Sequence, residues 1–118
     1  MSKFLDHVGI NSSGVPVQLT TSEIHGNRTG NVQGGLLATM LDAACGREVG
    51  AGLTEGQKAA TVSLTVTYLR PGRIGSTLTA TATTLHRGSS LVMVQGDVHD
   101  DEDQKIAHAA AIFSVTGS

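Results

Sequence analysis

The sequence predicts an α+β domain in which an antiparallel sheet of about five strands is wrapped around one long central helix. Three observations predict this fold. One proline-free segment is rich in Leu, Ala and Met, which are strong helix formers, and the segments around it are strand-like. The links between the later strand-like segments are short, as in an antiparallel meander. At 118 residues the chain has room for one core, so we expect a single domain over residues 1–118.

The first elements of the chain lead up to the helix. Residues 1–14 end in a turn-rich stretch and are expected to form a short leading segment with room for one helical turn. Residues 15–24 alternate apolar and polar side chains, which predicts a half-buried strand. Residues 25–31 are dense in Gly and Asn, which indicates a loop. The helix is predicted from Gly34 to about Val49 and is apolar over most of its circumference, as expected of an enclosed helix.

Four strands are predicted after a Gly-rich connection at residues 50–57. Residues 61–68 alternate without interruption between apolar and polar types. This pattern places four side chains on one face of the strand: Val62, Leu64, Val66 and Tyr68. After a turn at Pro71-Gly72, three further strands are predicted near residues 76–86, 89–99 and 105–116.

Composition excludes several classes of function. The formal net charge is −2, and the eight Lys and Arg residues are scattered singly, so binding to nucleic acid or to an anionic membrane is not supported. The single cysteine, Cys45, cannot form an intrachain disulfide, and the N-terminal residues lack the apolar region of a signal peptide. No apolar run approaches the roughly 18 residues of a membrane span. A soluble, cytoplasmic protein is therefore expected.

Asp42 is the residue that most needs an explanation, because it lies in the middle of an apolar helix. Its face of the helix carries only small neighbours, namely Ala38, Thr39, Cys45 and Gly46, so the carboxylate is expected to face a gap. Either a substrate or the equivalent helix of a second subunit can fill such a gap. The alternative, that Asp42 hydrogen-bonds a nearby loop and is purely structural, has about equal weight from this pattern alone.

Gly34 and Gly35 stand at the start of the helix, where backbone N–H groups and the helix dipole can receive a carbonyl oxygen that becomes negative. Close packing is the commoner reason for such a glycine pair. Asp42 lies eight residues farther on, about 12 Å along the axis. If both ends of this segment act on one reacting carbon, two chains must share a site.

The runs HGNRTGNVQGGLLATMLDAA and TVSLTVTYLRPG resemble the PaaI-like branch of the hotdog-fold acyl-CoA thioesterases. In that family the helix opens with HGG or QGG and carries Asp or Glu eight to nine residues later. The resemblance implies the hotdog fold and a homodimer, often paired into a homotetramer. It also implies hydrolysis of acyl-CoA thioesters, without a cofactor other than the coenzyme A of the substrate.

The resemblance also implies roles for individual residues. Asp42 matches the nucleophile or general base that directs water at the thioester carbonyl. Gly34 matches the backbone N–H that polarises this carbonyl, with help from Asn27, and both are implied to come from the partner chain. Thr61 matches the hydroxyl that helps to hold the water, although its β-propensity alone also explains a threonine there.

Gln33 departs from the commoner histidine of the family. Glutamine can orient a carbonyl but cannot exchange protons, which counts against the dehydratase relatives of the fold. A non-catalytic acyl-CoA-binding protein remains the other alternative. The acyl group is expected to be aryl or medium-chain.

The phosphates of coenzyme A are expected near the sheet edge, as in relatives. Residues proposed to meet them are Arg70, Arg73, Arg87, Gly88, Ser89 and Ser90. Singly, each basic residue is more often a solvated surface charge. No metal site is predicted, because the histidines lack ligand spacing. Cys45 has no basic neighbour to activate it and is expected to be a buried structural thiol.

Overall fold

The computed structural model describes residues 2–11 and 16–117, and it confirms the predicted fold. The helices are α1 (Lys3–Val8) and α2 (Gly34–Gly50), with a 3-10 turn at Glu23–His25. The strands are β1 (Val17–Thr20), β2 (Lys58–Tyr68), β3 (Thr77–Arg87), β4 (Leu91–His99) and β5 (Lys105–Thr116). Residues 12–15, where the first strand was predicted to begin, lie outside the described residues. None of the described helices is long and apolar enough to cross a membrane.

The five strands form one antiparallel sheet in the order β1-β3-β4-β5-β2. The strands β1 and β2 are therefore the two edges of the sheet, and β2 is bonded to β5 on one side only within the described chain. The helix α2 packs across the inner face of the sheet, and its predicted stripe of Leu37, Met40, Leu41 and Ala44 is buried in the core. This arrangement fixes where each side chain of α2 can reach.

The prediction of a strand over residues 15–24 was wrong at its C-terminal end. The strand stops at Thr20, and residues 23–25 form the 3-10 turn. The reason is a local polar network, because the Ser22 N–H donates to His25 Nδ1 over 2.9 Å. The other ring nitrogen of His25 then donates to the Val8 carbonyl over 2.7 Å, which ties α1 to this turn.

The outer face of the sheet carries an ion pair between neighbouring strands. His108 Nδ1 on β5 lies 2.8 Å from Asp97 Oδ1 on β4, and Lys105 Nζ lies 3.5 Å from the same oxygen. Burial alone would raise the pKa of Asp97. The hydrogen bond from His108 and the positive charges of Lys105 and His108 outweigh it and hold this pKa below its usual value.

Asp97→Asn is expected to lower the unfolding temperature by about 2 °C near neutral pH, since a partly exposed pair contributes little. A carboxylate whose pKa is lowered by folding stabilises the protein above its unfolded pKa, and this contribution is lost as pH falls through the folded pKa. Thermal unfolding of both proteins between about pH 2 and about pH 6 checks this. A difference that persists undiminished at the acid end would contradict it.

Candidate active site

Asp42 and Thr61 form the first part of the candidate site. The Thr61 hydroxyl on β2 donates a hydrogen bond to Asp42 Oδ1 on α2 over 2.8 Å. Asp42 is half-buried, and within the described part of the chain its second oxygen, Oδ2, accepts no hydrogen bond. A hydroxyl that donates to one oxygen orients the carboxylate and leaves the other available to a water molecule.

A bulge in β2 aims Thr61 at the helix. Thr61 pairs with Phe113 and Ser63 pairs with Ile112, so Val62 is an extra residue without a partner on β5. Strict alternation would have put Thr61 on the outer face with Ser63. The bulge shifts it to the inner face, which is how bulges commonly re-aim a side chain near a site.

The same bulge corrects the predicted face of β2. Val62 does not lie in the core with the alternating residues but is 58% exposed. Leu64 and Val66 are half-buried under α2, and Tyr68 is 52% exposed at the end of the strand. The uninterrupted alternation in the sequence therefore did not reveal the extra residue.

The prediction that Cys45 lines a gap beside Asp42 was wrong. This thiol is fully buried and packs against Gly96 on β4. Burial raises the pKa of Cys45 to about 11, and the negative charges of Asp42, Glu48 and Asp97 add to this effect. The buried position agrees with the structural thiol expected from the sequence, and such a thiol is a poor nucleophile.

The start of α2 forms the second part of the site. Gln33 is the N-cap, and its carbonyl accepts hydrogen bonds from the N–H groups of Leu36 and Leu37 over 3.0 and 3.4 Å. Gly34 and Gly35 are the first two helical residues, so their N–H groups have no acceptor within the helix. These two donors, at the positive end of the helix dipole, suit a carbonyl oxygen that gains charge.

Asn27 is held in the loop before α2 by its own side chain. Its Oδ1 accepts hydrogen bonds from the N–H of Thr29 (2.9 Å), the Thr29 hydroxyl (2.7 Å) and the N–H of Asn31 (3.1 Å). Because backbone N–H groups can only donate, these contacts also fix which end of the amide is the oxygen. The Nδ2 group is therefore the end of Asn27 that can serve a ligand.

A surface depression of about 440 Å³ brings three of the predicted residues together. Asn27, Gly34 and Arg70 line it, with Tyr68 and apolar side chains such as Leu37. Asp42 and Thr61 form a separate group in the same chain, about 12 Å along α2 from Gly34. The predicted residues thus fall into two groups within one chain.

The remaining predicted residues lie elsewhere. The Gln33 side chain is exposed at the start of α2 and makes no cap hydrogen bond. Arg87 lies at the opposite end of the helix, about 24 Å away, where its guanidinium rests against Gly52 and its Nη2 lies 3.5 Å from the Val49 carbonyl. Gly88 and Ser89 follow it in the β3–β4 turn. Within one chain, Arg87 and Arg70 therefore lie near opposite ends of α2.

No group of three or more His, Cys, Asp or Glu side chains among residues 2–11 and 16–117 is arranged to hold a metal ion.

Tyr68 is a residue of the candidate site that the sequence analysis did not identify as a site residue. Its hydroxyl donates to the Gly34 carbonyl over 2.8 Å. The available signal was that Tyr68 is the only tyrosine of the chain and stands beside the Leu-Arg-Pro end of its strand.

Residues 29–107 match the family model of the thioesterase superfamily. The chain belongs to this superfamily. The medium/long-chain acyl-CoA thioesterase YigI of Escherichia coli K12 is 34% identical over 97 residues, which cover 71% of this chain and 62% of YigI. The chain therefore spans less than two thirds of the length of the curated relatives it matches first.

Two solved structures extend the comparison. A Bacillus halodurans protein whose crystal structure contains CoA is 35% identical, with a TM-score of 0.81, covering 85% of this chain and 70% of that one. The E. coli PaaI protein, from the phenylacetic acid degradation operon, is 25% identical with a TM-score of 0.80 and covers 87% of this chain and 72% of its own. The resemblance to the PaaI-like thioesterases is thereby confirmed.

Proposed function

We propose that this chain hydrolyses acyl-CoA thioesters to a free acid and CoA, and that the acyl group is aryl or medium-chain. The observation that carries the proposal is the hydrogen bond from the Thr61 hydroxyl to Asp42 Oδ1. This bond orients the carboxylate and leaves Asp42 Oδ2 available to a water molecule. YigI is named as a medium/long-chain acyl-CoA thioesterase and PaaI comes from the phenylacetic acid degradation operon, which supports a medium-chain and an aryl acyl group respectively.

In the proposed reaction, Asp42 Oδ2 accepts a proton from a water molecule while the water oxygen forms a bond to the thioester carbon. The carbonyl oxygen becomes negative and is stabilised by the Gly34 N–H, with Asn27 Nδ2 beside it. The addition of water gives a tetrahedral intermediate. Its collapse breaks the carbon–sulfur bond, and the departing thiolate takes the proton from Asp42. Direct attack by the carboxylate, through an anhydride, uses the same residue. Neither route requires a cofactor or a metal.

We further propose that the active unit is a homodimer, because the two groups of residues are too far apart to act within one chain. The edge strand β2 offers a surface for it. Eleven residues long and exposed along most of its length, β2 has one side unpaired within the described chain, and such an edge readily pairs with another strand. We propose that two such dimers can pair further into a homotetramer.

The relation between α2 and β2 restricts how the dimer forms. The two elements run antiparallel, because Gly34 contacts Tyr68 while Asp42 contacts Thr61. A two-fold axis perpendicular to the sheet pairs β2 with itself in the antiparallel sense and leaves both helices on one face. The Asp42 end of one helix then approaches the Gly34 end of the other.

The register of this pairing follows from the same contacts. Because Val62 is an extra residue in the bulge, Thr61 and Tyr68 are each three ladder positions from Thr65. For Thr61 of one strand to come near Tyr68 of the other, the axis must therefore pass near Thr65. Thr65 is exposed and lies on the outer face, so its substitution disturbs neither the helix nor the core.

Thr65→Cys is therefore expected to form a disulfide-linked dimer under mild oxidation, since residues at the axis face their own copies across about 5 Å. Non-reducing gel electrophoresis measures the linked fraction. Thr83→Cys is the matched control, because Thr83 is also an exposed outer-face threonine but lies on β3, separated from β2 by β4 and β5. Native Cys45 is buried and does not interfere. Equal linking of both variants would rule out the proposed register.

In the proposed dimer, the basic residues predicted to contact CoA can bind the same CoA molecule. Arg70 lines the depression beside Gly34, whereas Arg87, Gly88 and Ser89 lie at the far end of α2. Because these two sets lie at opposite ends of α2 within one chain, we propose that the phosphates of one CoA molecule contact the two sets from different subunits. We propose a cytoplasmic location, because the one cysteine is free and the proposed substrate contains CoA.

A free-thiol release assay with aryl, short-chain and medium-chain acyl-CoAs tests the proposed activity. Release from the aryl or medium-chain esters supports hydrolysis and ranks the substrates. If the esters bind, as measured by calorimetry, but no thiol is released, the chain is an acyl-CoA-binding protein instead. Water loss or gain across a carbon–carbon double bond with CoA retained would point to a dehydratase, which Gln33 disfavours because it cannot exchange protons.

A further inference from the structure

Tyr68 connects the end of the edge strand to the start of the central helix. Its hydroxyl donates to the Gly34 carbonyl over 2.8 Å. Its ring lies so close to Gly34 that a β-carbon there would be 3.2 Å from Cζ and 3.3 Å from Oη. A β-carbon at position 34 would require the Tyr68 ring to move by a few tenths of an ångström, so the contact in its present form depends on glycine.

The acceptor of this hydrogen bond belongs to a peptide group with a second role. The Gly34 carbonyl and the Gly35 N–H are two ends of the same planar peptide unit. A hydrogen bond to the carbonyl oxygen polarises that unit and makes its N–H a stronger donor. The same bond holds the first turn of α2 at a fixed position relative to the sheet. The polarisation acts on the Gly35 N–H, and the fixed position of the first turn holds the free N–H groups of both Gly34 and Gly35 in place.

We propose that Tyr68 is a positioning residue that holds the N-terminal N–H groups of α2 in place for the thioester oxygen. This inference rests on the proposed thioester hydrolysis. Tyr68 acts through the helix and not on the reacting atoms. Half of its surface is exposed in the single chain, at the edge where the proposed partner strand would cover it. Exclusion of water there strengthens a hydrogen bond of this kind.

Tyr68→Phe is the sharpest test, because it removes only the hydroxyl and keeps the ring that packs on Gly34. The expected result is a fall in kcat of about tenfold with KM within about twofold, smaller than the 10²–10³ loss when an oxyanion donor is itself removed. A purely structural residue would instead change thermal stability and leave kcat unchanged. Ser114→Ala is the control, since it deletes a hydroxyl that donates to the Ala60 carbonyl within the sheet.

A second measurement does not depend on turnover. In ¹H–¹⁵N spectra of the free protein, the Gly35 amide proton is expected to move upfield in Tyr68→Phe, because its peptide unit loses polarisation, and to stay in place in Ser114→Ala. If the unmodified protein releases no thiol, the proposed hydrolysis fails, and the Gly35 shift alone still decides whether Tyr68 holds the helix. Unchanged kcat together with an unmoved Gly35 amide would overturn the inference.

Discussion

Asp42→Asn is expected to lower kcat for thioester hydrolysis by about 10² or more, the usual scale for loss of a general base. Asparagine has the shape of aspartate and can still accept the hydrogen bond from Thr61 through its amide oxygen. The other end becomes an N–H₂ group, which cannot accept a proton from water. Substrate binding is expected to persist, so KM should change far less than kcat.

Steady-state kinetics on the best substrate of the panel, with thermal unfolding as a check of integrity, measures this effect. Glu48→Gln provides the matched control. Glu48 is another carboxylate of α2, and its Oε2 accepts hydrogen bonds from the N–H and hydroxyl of Thr84 over 3.1 and 2.8 Å. A glutamine oxygen can accept the same two bonds, so its activity should match the unmodified protein. Comparable losses in both variants, or none in Asp42→Asn, would remove Asp42 from the mechanism.

Much of the fold was predictable because its signals are local. The run from Gly34 onward has no proline and is rich in Leu, Ala and Met, and the alternation in β2 to β5 follows from a half-buried sheet. The end of β1 was not predictable in this way. There the His25 side chain accepts a hydrogen bond from the Ser22 N–H and donates one to the Val8 carbonyl, so the end of the strand depends on a contact with α1.

The site was predictable by residue type but not by geometry. A carboxylate in an apolar helix is unusual on sequence grounds alone, and the family resemblance adds Thr61 to it. The direction of Thr61 depends on the bulge at Val62, which an uninterrupted alternating pattern conceals. The contact between Tyr68 and Gly34 joins residues far apart in sequence, so no local pattern indicates it.

Gly34→Pro is expected to lower kcat by about 10²–10³, the scale for removing one oxyanion donor. Proline is suited to the first helical position and has no N–H, so it deletes the proposed donor without breaking the helix. The residue before it must be extended, and Gln33 already has φ −61° and ψ 132°. The backbone is therefore ready to accept this substitution.

Gly34→Ala is the control for crowding. Alanine and proline both place a β-carbon against the Tyr68 ring, at the 3.2 Å approach described above. Only proline lacks the N–H. A large loss in Gly34→Pro with a modest loss in Gly34→Ala assigns the effect to the missing donor. Equal losses in the two variants would mean that displacement of Tyr68, and not loss of the N–H, is responsible.

Mixing the two inactive variants tests whether two chains share each site. A heterodimer of Asp42→Asn and Gly34→Pro subunits contains one site with both changes and one site with neither, if Asp42 and Gly34 of a site come from different chains. Random pairing makes half of the dimers mixed, so co-expression should restore about a quarter of the unmodified activity. If both residues of a site came from the same chain, every site would carry one change. The mixture would then be as inactive as either variant alone.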